Sequence, residues 1–76
     1  MDKVIEKKWQ EKVKSLLKAE LKRKNVTYAQ LSIKLNEIGV SEKPENITLK
    51  MSRGKFSAIF LLQCLSVIGV TNIILD

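Results

Sequence analysis

The sequence predicts an all-α domain, a compact bundle of four helices occupying residues 1–76 as a single unit. Three observations carry that expectation. Most apolar residues recur at three- and four-residue steps, the period of a helix with one buried face. The chain holds only three glycines and one proline, and each falls where a helix would start or stop. The length of 76 residues and the apolar share of 45% suit one modest core rather than a disordered chain or two domains.

The first helix is expected over about residues 3–24. Ile5, Trp9, Val13, Leu16 and Leu17 fall on one side of it, which places Trp9 in the core or at a dimer seam. Lys3, Lys7, Lys14, Lys18 and Lys22 fall on a different side. That basic stripe reads either as a solvated face or as a surface that attracts phosphates without sequence preference.

Thr27 caps a second helix, with Gln30 completing a capping box and Val26 and Leu31 at the positions of a hydrophobic staple. Tyr28, Leu31, Leu35 and Ile38 form its inward face. Gly39 stands where a left-handed terminating residue is expected, with Val40 folding back. A turn from Gly39 to Lys43 follows.

Pro44 suits the first position of a third helix, where its missing N–H is not needed. That helix should run to about Arg53, with Ile47 and Met51 inward and Gly54 as its stop.

Ser57 caps a fourth helix, with Phe56 and Leu61 as a staple. Ala58, Phe60, Leu61, Leu62, Leu65 and Ile68 make it apolar nearly all round, so it belongs to a core, an interface or a membrane. Gly69 ends it. Val70 to Leu75 is β-branched and apolar, a short strand or an extended tail. A lone strand needs a partner, and the same segment of a second copy would supply one.

Charge narrows the function. The net charge is +6, from 14 Lys and Arg against 8 Asp and Glu, which favours polyanionic partners. Residues 1–24 hold nine of those cations against four acids, while residues 56–75 hold no charge at all. A tail anchor is the membrane alternative, since 56–75 has about the length of a bilayer span. Gln63, Thr71, Asn72 and Gly69 argue against it, and no membrane partner is expected.

One cysteine and no histidine leave no internal disulfide and no zinc-ligand set. Cys64 reads as a small buried hydrophobe. Without a histidine, a paired carboxylate on an apolar face or a Gly-rich phosphate loop, no enzyme, cofactor or small-molecule substrate is expected. The start Met1-Asp2-Lys3 has no apolar run, so a cytoplasmic location is expected.

Val26-Thr27-Tyr28-Ala29-Gln30-Leu31-Ser32, the Ser52-Arg53-Gly54-Lys55 segment and the Ile68-Gly69-Val70 ending resemble the phage-repressor-like helix-turn-helix domains. Lys50-Met51-Ser52-Arg53-Gly54-Lys55-Phe56-Ser57-Ala58 and Phe60-Leu61-Leu62-Gln63-Cys64-Leu65 are similar to a family of small bacterial proteins of unknown function. The likeness covers about residues 9–70. Two positions depart from the repressor pattern. Tyr28 stands where a phosphate-bonding Gln is common, and the Gly39-to-Gly54 stretch is about three residues longer.

The first resemblance implies a small DNA-binding protein, a transcriptional regulator acting as a homodimer, with its third helix in the major groove. Asn46 would then bond an adenine edge and Lys50 a guanine edge, with Thr48 beside them. Lys43, Arg53 and Lys55 would contact phosphates, and Tyr28 and Gln30 would add neutral phosphate contacts. Arg53 has a structural alternative, as a cation near the free carbonyls of a helix end. The alternative function is a homo-oligomeric protein-interaction module on the same fold. It would pair copies through the fourth helix, the C-terminal segment and the stripe of the first helix.

Overall fold

The computed structural model describes residues 3–75. Among them the chain forms four helices and no strand: α1 (Lys3–Arg23), α2 (Tyr28–Glu37), α3 (Pro44–Arg53) and α4 (Ala58–Val67). The all-α bundle is as expected. Residues 70–75 form no regular secondary structure, and a single chain offers that segment no strand edge to pair with. Part of it, Ile73 to Leu75, lies along Leu16 and Ala19 of α1.

Local chemistry explains the boundaries. The Thr27 hydroxyl accepts from the Gln30 N–H at 3.1 Å, and the Gln30 side chain accepts from the Thr27 N–H at 2.9 Å, closing the capping box of α2. The Ser57 hydroxyl accepts from the Phe60 N–H at 3.0 Å and starts α4. Pro44 occupies the first turn of α3.

Helices α2 and α4 end in the same way, with left-handed Gly39 and Gly69. Val40 and Val70 then donate back to the Leu35 and Leu65 carbonyls at 3.0 and 2.9 Å. Asn25, at φ 57, does the same service for α1, and Val26 donates to the Leu21 carbonyl. The helix thus ends at Arg23, one residue short of the expected 24, because Asn25 takes the left-handed conformation.

Helix α2 packs on α3 and α4, and α1 packs on the same two helices. The core is Leu17, Leu21, Leu31, Leu35, Ile47, Met51, Phe60, Cys64, Leu65 and Ile68. The expected inward faces of α2 and α3 hold at Leu31, Leu35, Ile47 and Met51, while Tyr28 is half-buried against the core.

Two expectations are corrected: the core alternative for Trp9, and the inward position of Ile38. Trp9 is 60% exposed, with Lys12 beside its ring, and Ile5 is exposed too. At 21 residues, α1 is about twice the length of each ten-residue helix, and its buried residues, Leu17 and Leu21, lie in its C-terminal half. Ile38 is 55% exposed because it leaves helical geometry as the terminating residue of α2. Helix α4, expected in a core, an interface or a membrane, buries Phe60, Cys64 and Leu65 in the core, while Ile59 and Leu62 face outward at 69% and 64% exposure. Phe56 meets Phe60 edge-on, with ring centroids 5.5 Å apart.

Gly54 fixes how α3 meets α1. Its φ of 65 terminates α3, and its N–H donates to the Lys50 carbonyl at 2.9 Å. A β-carbon built there would lie 2.8 Å from the Gln10 carbonyl oxygen of α1. Gly39 is also left-handed, yet a β-carbon there meets nothing within 4 Å. Gly54→Ala is therefore expected to lower unfolding free energy by about 2 kcal/mol or more, and Gly39→Ala by about 1. Urea unfolding of the two variants checks the order, and equal losses would contradict the close approach.

Candidate nucleic-acid interface

The residues expected to meet DNA depend on how α3 is held, and two contacts from α2 hold the turn before it. The buried Ser32 hydroxyl donates to the Glu42 carbonyl. The Asn36 side-chain amide donates to the Ser32 carbonyl at 2.6 Å and to the Glu42 carbonyl at 3.3 Å. Both donors lie one helical turn apart on α2, so they converge on one acceptor. The turn, residues 38–43, is thereby tied down at its far end.

Glu42 is held by its side chain as well. Its side chain, 10% exposed, pairs through the carboxylate with the Lys50 ammonium at 2.9 Å, and that ammonium lies 4.3 Å from the centroid of the Phe60 ring. Cys64 sits under this group. Burial, with the Glu42 charge adding to it and Lys50 opposing, pushes the thiol up to about 12, so at neutral pH it is an inert part of the core.

Of the eight residues expected at an interface, Asn46, Lys50, Arg53 and Lys55 line one open groove, together with Glu42 and Leu49. Within it Glu42 and Lys50 cancel each other. Arg53 and Lys55, both exposed and outside any ion pair among the described residues, supply the net charge, and Asn46 supplies a neutral polar edge. Lys50 is thus drawn into a structural pair instead of standing free for a base.

The remaining four are not gathered into that groove. Thr48 is exposed, with its hydroxyl donating to the Pro44 carbonyl at 3.0 Å. Lys43 is exposed at the start of α3 and makes no side-chain cap. Gln30 is engaged in the capping box and lines a separate concavity with Lys24 and Lys34. Tyr28 packs its ring against the core.

The outward face of α3 also carries Glu45 in its first turn, where the helix dipole favours a carboxylate. Facing a phosphate backbone, that charge would oppose contact. No group of three or more potential metal ligands occurs among the described residues. No helix there is long and apolar enough to cross a membrane.

Sequence reasoning missed Ser32, Asn36 and Glu42. Ser32 and Asn36 carried a faint signal, as polar residues at i, i+4 on a helix that precedes a turn. Glu42 carried none, because its partner Lys50 is reached only through the packing of α3 on α2.

This is a small basic four-helix domain with one polar groove beside its third helix. A family model described as a domain of unknown function, DUF6471, matches residues 9–73, and the chain belongs to that family. No curated protein and no solved structure matches it.

Lys50→Ala leaves the Glu42 carboxylate nearly buried without its cation and is expected to cost roughly 1–2 kcal/mol of stability. Lys55→Ala, at an exposed cation outside any ion pair among the described residues, is expected to change stability by less than about 0.5 kcal/mol. Chemical denaturation at neutral pH measures both, and a silent Lys50 variant would return that lysine to the surface.

Proposed function

We propose that this protein binds double-stranded DNA, as a small regulator of transcription that presents α3 and its basic end to the duplex. One observation carries the reading. Among the described residues, Arg53 and Lys55 of the groove beside α3 lie outside any ion pair, while the acid that lines it, Glu42, is paired with Lys50. Two guanidinium or ammonium groups beside the end of an exposed helix suit phosphate oxygens, which fix register, and Asn46 suits a base edge. The net charge of +6 adds long-range attraction of the same sign. The resemblance to repressor-like domains supplies the choice of duplex DNA over other polyanions.

Contacts to phosphate release counterions, so affinity must fall steeply with salt. Fluorescence anisotropy on genomic fragments is expected to give a plot of log K against log salt with a slope of magnitude about 3 or more. Arg53→Gln with Lys55→Gln is expected to lower that magnitude by about 2. Absence of binding at low salt would end the reading.

A second reading has its own observation. Ile59 and Leu62 on α4, Ile5 and Trp9 on α1, and Ile74 and Leu75 in the tail all stand exposed. Apolar surface on that scale in a domain this small favours self-association, with the protein serving as an interaction module, a homodimer in the simplest case. Sedimentation across a concentration range separates the readings. A Leu62→Glu variant that becomes monomeric and loses cellular function, while an Arg53 and Lys55 double variant keeps it, would favour this one.

A further inference from the structure

We propose that Lys3 and Lys7 of α1 join Arg53 and Lys55 in one phosphate clamp, so that the backbone of a duplex is gripped between the first turns of α1 and the end of α3. The inference deepens the DNA-binding reading and rests on it.

The four cations come from two segments far apart in the sequence, and they line one cleft together with Glu6, Gln10, Glu11 and Ser52. Helical periodicity alone gave Lys3 and Lys7 only a place on the basic stripe of α1. The cleft exists because Gly54 lets α3 end directly against the Gln10 backbone. One turn of helix separates Lys3 from Lys7, and Arg53 and Lys55 flank the glycine. The two pairs of cations therefore face one cleft from its two walls.

Charge accounting supports an anion as the occupant. Four cations meet two carboxylates there, and one of those, Glu11, is engaged by Lys14 at 3.4 Å. None of the four cations forms an ion pair among the described residues. Such a cluster repels itself until an anion enters. Arg53 and Lys55 also line the groove beside α3. An anion in the cleft would thus continue into that groove, which suits a phosphodiester chain better than a single small phosphate. The first turns of α1, whose Lys3 and Lys7 are exposed, form the outer jaw of the clamp.

The test compares two charge-matched double variants of the whole chain. Lys3→Gln with Lys7→Gln removes the jaw. Lys18→Gln with Lys22→Gln removes the same charge from exposed positions of α1 outside the cleft. Anisotropy on a mixed-sequence duplex is read against sodium chloride, with far-ultraviolet circular dichroism confirming equal helicity.

The clamp predicts that the first pair lowers the magnitude of the salt slope by about 2 and weakens low-salt binding about tenfold or more, while the second pair changes the slope by less than about 0.5. Equal effects of the two pairs would mean that net charge alone acts, overturning the clamp and leaving DNA binding intact. An unchanged slope for the first pair would overturn it likewise. If the unaltered protein fails to bind the duplex, the functional reading itself falls and takes the clamp with it. Inorganic phosphate competing at micromolar concentration would assign the cleft to a free ion and also overturn the proposal.

Discussion

The contact between Gly54 and the backbone of Gln10 is the constraint on which the rest of this small fold turns. A left-handed residue is needed there to end α3, and a side chain is excluded there because α1 passes so close. One residue therefore performs two tasks that are separable in principle, and only glycine satisfies both. The arrangement sets the angle at which a 21-residue helix crosses a ten-residue one. It also brings the basic start of the first to the basic end of the second.

A second set of contacts works in the same direction from the other end of α3. Ser32 and Asn36 hold the Glu42 carbonyl, and Lys50 holds the Glu42 carboxylate while lying on Phe60. The turn before α3 is long for two packed helices, and length alone would leave the helix loosely aimed. Several bonds converging on one residue remove that freedom. The cost is that Lys50, an attractive candidate for a base edge, is spent on structure. What remains for an anion is the C-terminal side of α3, and Glu45 in its first turn adds to that polarity.

Much of the fold was legible because its signals are local. The capping box at Thr27 and Gln30, the Ser57 cap, Pro44 at a helix start and the three glycines at helix ends each act within four residues of themselves. The inward residues Leu31, Leu35, Ile47 and Met51 followed from period alone. Trp9 and Ile5 did not, since a periodic stripe shows which side of a helix is apolar but not how far its neighbours extend. Ile38 was misjudged at a place where the helix stops being a helix. Of the candidate site, the sequence yielded Asn46, Arg53 and Lys55 as neighbours on one short segment. The pairing of Lys50 with Glu42, and the meeting of Lys3 and Lys7 with Arg53, depend on tertiary approach and leave no trace in spacing.

In the proposed clamp, one surface, made where α1 meets the end of α3, receives the anion. An NMR titration of the isotopically labelled chain with a short duplex at low salt tests it most directly. Backbone amides of residues 3–10 and 52–56 are expected to shift together along one binding curve, with Ile59 and Leu62 of α4 unmoved. Shifts centred on α4 and the tail, or on residues 3–10 and 52–56 with different affinities, would contradict it.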